Sequence, residues 1–253
     1  MNDMPLYVYK KELKSLKKTV INYISIFTII VGVLLLFWAF YPVISFEVYS
    51  RLFIKKSFSS PVYLTQSTPD SIISENSVLG LDTLQNTDTD LTQANLWFPK
   101  AALNTQSKQK IFIKEYFLDI PKLNINNAKV IVGGDDLTKS LIHYIPNSLP
   151  GEKGNVVIFG HSTLQQLYDT KDYKTIFTYL SSLENGDLIR VRIGEDNYDY
   201  KVSEMFVVKP DKTEVLDQMY DASYLTLITC VPPGTYWNRL VIRAKLHDSL
   251  IEF

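Results

Sequence analysis

The sequence predicts an all-β domain, a barrel or a sandwich, carried behind one membrane-spanning helix. Three observations predict it. A charge-free apolar run fills Thr19 to Phe46, a polar stretch without Lys or Arg runs from Ser57 to Pro99, and short alternating segments separated by turn residues recur from Ile111 onward. No internal repeat and no glycine-rich nucleotide fingerprint competes with this pattern.

The apolar run is the first element. Its 28 uncharged residues exceed an ordinary core helix and are long enough to cross a bilayer with some tilt. The run continues through Trp38, Phe40, Tyr41 and Pro42 rather than ending at a small-residue exit site, which predicts an uncleaved anchor over residues 19–46. Lys10, Lys11, Lys14, Lys17 and Lys18 place residues 1–18 in the cytoplasm by the positive-inside tendency, although Arg51, Lys55 and Lys56 weaken the asymmetry. The domain that follows is therefore expected outside the cell membrane, with lipid as the partner of the anchor.

Residues 47–110 come next. Ser, Thr, Asn, Gln and Asp dominate, so the segment buries little and is expected to act as a tether. One exception is the cluster Asn95-Leu96-Trp97-Phe98-Pro99, whose adjacent aromatics are costly in water and are expected to dock on the folded domain. Two docking places are open. The outer wall of the domain makes the segment an anchor, the favoured alternative; the substrate groove makes it a lid.

Residues 111–253 form the folded part. Candidate strands are Ile113 to Ile120, Ala128 to Val132, Asn155 to Phe159, Leu188 to Ile193, Tyr198 to Val208, Tyr224 to Thr229 and Arg239 to Leu246. Helical turns are predicted at Leu137 to His143 and at Tyr173 to Leu183, the latter from Ile176, Phe177, Leu180 and Leu183 at helical spacing before Asn185-Gly186.

Charge and composition narrow the function. A formal net charge of −1, with no basic stripe beyond the N-terminal lysines, excludes a nucleic-acid partner. One cysteine allows no intrachain disulfide, and three histidines with one cysteine make no recognisable metal spacing, so neither metal nor cofactor is expected. Glu195, Asp196 and Asp199 cluster between two strands and are taken as a solvated hairpin tip rather than a calcium site.

The chemistry concentrates at three places. Cys230 closes the strand Leu225-Thr226-Leu227-Ile228-Thr229-Cys230, and after the turn Val231-Pro232-Pro233-Gly234 a returning strand opens with Arg239, setting a thiol beside a fixed positive charge. Sixty-nine residues upstream of the cysteine, Gly154-Asn155-Val156-Val157-Ile158-Phe159-Gly160 ends in His161. A lone cysteine is more often an inert core residue, but a place at a strand end beside a turn reverses that preference.

These residues resemble the sortases, cysteine transpeptidases of bacterial surfaces. Pro150-Gly151-Glu152, Gly154-Asn155 and Gly160-His161 match on one side, and Thr226-Leu227-Ile228-Thr229-Cys230 with Arg239 on the other, in the family's order of His, Cys and Arg. The resemblance implies a closed eight-stranded β-barrel, one strand more than the seven marked above. It also implies Cys230 as nucleophile, His161 as acid and base, Arg239 as the clamp on the substrate carbonyl, and Thr229 as a residue shaping the acyl pocket. Arg243, four residues along the same strand as Arg239, competes weakly for its role, and His143 and His247 are expected to be structural.

The implied substrate is an LPxTG-like sorting signal on a surface protein. The implied acceptor is an amine, from a cell-wall precursor or a pilin lysine. The cysteine precedes the histidine in papain-like peptidases, which excludes them, and the SHGxxN-like context of L,D-transpeptidases is absent. The alternatives are a tethered binding module that has lost turnover, against which all three residues argue, and a hydrolase that uses water as acceptor.

Overall fold

The computed structural model describes residues 16–54, 91–99 and 112–247. The N-terminal lysines up to Lys14 and residues 55–90 and 100–111 of the expected tether lie outside them. The first element is helix α1, Leu16–Phe53, which extends the charge-free run at both ends. Its stretch Val20–Tyr41, with mean hydropathy 2.5, is long and apolar enough to cross a membrane and is nowhere buried against the protein.

Eight strands follow: β1 Glu115–Ile120, β2 Ile125–Val132, β3 Leu141–Tyr144, β4 Gly154–Phe159, β5 Leu188–Ile193, β6 Asp196–Val208, β7 Ser223–Val231 and β8 Asn238–Leu246. They close in the order β1-β2-β3-β4-β7-β8-β6-β5, so no strand edge is left unpaired along the circuit. The pairs β2·β3 and β4·β7 are parallel and the others antiparallel. Gly194, at φ 60°, makes the tight turn between Ile193 and Asp196 that joins β5 to β6.

Alternation decides which side chains go inside. Tyr116, Leu118 and Ile120 of β1, Leu225 and Leu227 of β7, and Leu240, Ile242 and Ala244 of β8 belong to one buried cluster, joined by Ile176, Phe177, Leu180 and Leu183. A second cluster covers the other face of the same sheet: Ile142, Val157, Phe159, Phe206, Ile228, Cys230 and Val241, with Leu137, Trp97 and Phe98. Strands β3 and β4 are consequently buried on both sides along their whole length.

Two local expectations change. Leu137 to His143 is not helical: Leu141-Ile142-His143-Tyr144 is β3, the strand missing from the seven. With both faces buried and only four residues, it offers no alternation to detect. Tyr173 to Leu183 forms turns ending in a short 3₁₀ turn, Leu180–Ser182, rather than an α-helix, yet its predicted apolar residues are the ones buried. Gly186, at φ 93°, ends it as expected of an Asn-Gly stop.

Candidate active site

Three neighbouring strands bring the predicted residues to one end of the barrel. Strand β4 runs parallel to β7 up to the pair Phe159↔Ile228, and beyond it the bonds from Thr229 to Gly160 and from Ser162 to Cys230 carry the His161 segment on along β7 toward Cys230. Strand β8 runs antiparallel to β7 with Cys230 opposite Arg239. The sequence separation between His161 and Arg239 is thus removed by strand order alone. Gly160 is required at its position: a Cβ there would lie 2.5 Å from Phe177 and 2.6 Å from Leu141.

Beyond Phe159 the β4·β7 ladder gives way to side-chain bonds. The Gly160 amide donates to the Ile228 carbonyl at 3.2 Å. The Thr229 hydroxyl then donates to the Gly160 carbonyl at 2.8 Å, and the Ser162 hydroxyl donates to the Cys230 carbonyl at 2.5 Å. By alternation Thr229 shares the interior face of β7 with Leu227 and Val231, whereas Cys230 faces the outer groove with Ile228.

The groove is dry and cationic. Cys230 is 5% exposed, and burial pushes its thiol up from the ordinary value while the facing Arg239 pulls the other way. Burial lowers Arg239 too, with Cys230 opposing. In this covered arrangement desolvation of the thiol outweighs the arginine.

What covers the groove is the segment 91–99. Trp97 and Phe98 are fully buried. The Trp97 ring stacks on Phe159 at 5.1 Å and lies 5.6 Å from the His161 ring. The Arg239 guanidinium sits 5.4 Å from the Trp97 ring centroid and 6.0 Å from that of Phe98, and its Nη2 donates to the Trp97 carbonyl at 3.1 Å. The other end of the segment is tied to the β2–β3 turn. Ala94 and Asn95 amides donate to the carbonyl and carboxylate of Asp135, both at 2.9 Å, and the Leu137 amide donates to the Thr92 carbonyl at 2.9 Å. The segment thus docks on the outer wall of the barrel, and it does so over Cys230 and Arg239.

Arg243 lies on the same strand but two alternations away, 3.3 Å from Glu204 and stacked 5.5 Å from Phe206. His143 is fully buried on β3, edge-on to Tyr116 at 5.9 Å, with both ring nitrogens unpartnered, and desolvation lowers its pKa to about 3. Asp199 of the β5–β6 hairpin is paired with Arg190 at 2.6 Å. Two contributors escaped the sequence reading. Ser162 was an unremarked hydroxyl beside a histidine, and Asp135 one of two acids in a glycine-led turn; only the fold gives either a partner.

The chain is similar to sortase D of Bacillus subtilis (strain 168), at 28% identity over 183 residues, 65% of this chain and 86% of that protein. It is similar to sortase A of Bacillus anthracis at 29% over 137 residues, 54% of this chain but only 58% of that protein's length. Among solved structures, a sortase D5 transpeptidase of Clostridium perfringens aligns with TM-score 0.46 and 27% identity, over 59% of this chain and 86% of that one. The sortase domain itself matches residues 118–247, just over half of the 253 residues and all of the barrel but the first half of β1; the chain belongs to the sortase family.

Proposed function

We propose that the chain is a membrane-anchored sortase in which Cys230, His161 and Arg239 cleave a sorting signal and pass its acyl group to an amine. The Cys230 thiolate attacks the Thr carbonyl of an LPxTG-like signal, at the bond to the following residue, and Arg239 steadies the developing oxyanion. The C–N bond breaks as His161 gives its proton to the leaving amine, leaving a thioester on Cys230. An acceptor amine, from a cell-wall precursor or a pilin lysine, then attacks the thioester, loses a proton to His161 and expels the thiolate. The anchor helix holds the enzyme on the outer face of the cell membrane with its N-terminus inside.

The observation that carries this reading is the bond from Arg239 Nη2 to the Trp97 carbonyl. An arginine opposite the only thiol already holds a main-chain carbonyl, the group the chemistry needs it to hold. The same bond supports a second assignment: residues 91–99 are a cover that keeps a peptide carbonyl in the clamp until substrate displaces it. Thr229 then serves the site from the interior face of β7, through Gly160, rather than by lining the acyl pocket.

The test uses the full chain in detergent micelles, incubated with a library of sorting-signal peptides with and without amine acceptors and followed by mass spectrometry. Amine-dependent ligation that is lost in Cys230→Ala is expected. Cleavage without ligation at saturating amine makes the protein a hydrolase, and no Cys230-dependent product makes it a binding module.

A further inference from the structure

We infer that Ser162 is a positioning residue for acyl transfer, its hydroxyl and that of Thr229 forming a reciprocal brace that holds His161 and Cys230 in register. The inference rests on the assignment of Cys230 and His161 as the reacting pair.

The argument begins with where the strands stop. β4 ends at Phe159 and its last backbone bond to β7 is the one from Gly160 to Ile228. Both His161 and Cys230 therefore lie past the point at which a backbone ladder fixes one strand against the other. On the far side, Pro232 has no N–H with which to extend β7. Two side chains supply the missing rungs. Thr229, the residue before the cysteine, donates to the carbonyl of Gly160, the residue before the histidine, at 2.8 Å. Ser162, the residue after the histidine, donates to the carbonyl of the cysteine itself at 2.5 Å.

The crossing pattern matters more than either bond. Each hydroxyl comes from a neighbour of one reacting residue and ends on the other strand, so the pair resists sliding in both directions along the strands. The Cys230 carbonyl is the acceptor at the position that orients the thiol, and a buried carbonyl left without a donor would move to find one. Geometry at a reacting centre is sensitive at this scale: an error of about 1 Å can cost on the order of a hundredfold in rate. A hydroxyl short enough to reach only this carbonyl is a precise way of preventing that error.

The experiment compares full chains in detergent micelles: wild type, Ser162→Ala, Ser162→Thr and Thr229→Val. The readouts are kcat and KM for an LPxTG-like peptide with an amine acceptor, and the pH midpoint of Cys230 alkylation by iodoacetamide. Ser162→Ala should lower kcat by about ten- to a hundredfold with KM within about twofold, and Ser162→Thr, which keeps the hydroxyl, should restore most of the loss. Thr229→Val should lower kcat in the same way. The alkylation midpoint should rise in Ser162→Ala, because a thiol swung out of register loses Arg239, the cationic neighbour that favours its ionised form.

A kcat within twofold of wild type in Ser162→Ala, a loss that Ser162→Thr does not restore, or loss of the cooperative thermal transition in Ser162→Ala would each overturn the inference; the last would assign the hydroxyl to the fold instead of the site. If the wild-type chain turns over no peptide, the functional reading fails separately, and the alkylation midpoint alone decides the brace.

Discussion

The two faces of the same sheet are both buried, but they are completed in different ways. The barrel interior is filled mainly by residues of the strands and of the Tyr173–Leu183 segment, with Phe46 of α1 and Ile54 just after it joining the same cluster, and closure of the eight strands leaves it nowhere to open. The outer groove holds Phe159, Ile228, Cys230 and Val241, and it becomes a core only when Ala94, Trp97 and Phe98 arrive from a segment that precedes β1. One face is sealed by topology. The other is sealed by a segment from outside the barrel, and Cys230 and Arg239 face that side, with the His161 ring against Trp97. On the proposed reading, the difference lets a thiol sit in a dry, charged setting at no cost to the stability of the barrel.

The largest effects should come from the outer face. Cys230→Ala should abolish both turnover and thiol labelling, since it removes the only sulfhydryl, and His161→Ala should lower kcat by about 10²–10⁴-fold, the usual worth of general acid–base catalysis. Peptide turnover assays on the full chain check both. Arg239→Lys asks whether charge or shape holds the carbonyl; loss of the planar fork should cost about 10²–10³ in kcat. Full activity in the lysine variant shows that charge suffices, and activity in Arg239→Ala moves the clamp to Arg243.

A paired substitution sharpens the contrast between the faces. Phe177→Ala, in the interior, should destabilise the domain by about 3–5 kcal/mol. Trp97→Ala with Phe98→Ala, equally buried, should speed iodoacetamide labelling of Cys230 by about tenfold or more while shifting the barrel's unfolding far less, because the groove can open without unfolding the barrel. Denaturant titration and labelling rates on the same samples measure both. Slow labelling after the double substitution makes Trp97 and Phe98 an anchor alone.

The smallest effect concerns pH and the interior. His143 is held neutral by burial down to about pH 3, whereas the unfolded chain binds its proton near 6.5. Its contribution to stability is complete above pH 6.5 and is lost as pH falls below that value, at up to about 1.4 kcal/mol per pH unit. Unfolding free energies measured between pH 7 and 4 should show that slope, and His143→Leu should flatten it. An unchanged slope in the leucine variant moves the titration to another group.

How much of this was legible follows from what leaves a mark on a sequence. β1, β5 and β6 keep a partly exposed face that alternates and were found within a few residues of their ends, and β4, β7 and β8, buried almost throughout, were found as longer apolar runs beside turn residues. β3 was not, because its four buried residues are too short a run to show either signal and its pairing partners are set by the parallel neighbour β2 and by β4. The proposed trio was legible because each member lies at or next to a strand end beside a turn. The aromatic pair at Trp97 and Phe98 was legible as something that must dock. Where it docks was not, since the site is made from four strands and a turn residue, Asp135, that have no common signature in the chain. Ser162 was invisible for the same reason: a hydroxyl acquires a task only when a carbonyl from another strand comes within reach.

The bond between Arg239 and the Trp97 carbonyl makes the protein its own first ligand. A short tethered segment presents its groups at an effective concentration on the order of millimolar, whatever the amount of protein in the cell. On the proposed reading, an incoming signal peptide would compete against that standing occupant, and its apparent affinity would be its intrinsic affinity scaled by the fraction of molecules that are open. Weak or accidental peptides would thereby be refused without any pocket having been built to reject them. Only a ligand that brings both a carbonyl for the guanidinium and enough apolar surface to replace two aromatic rings would gain entry, so the selectivity of the groove would be set as much by what must leave it as by what enters.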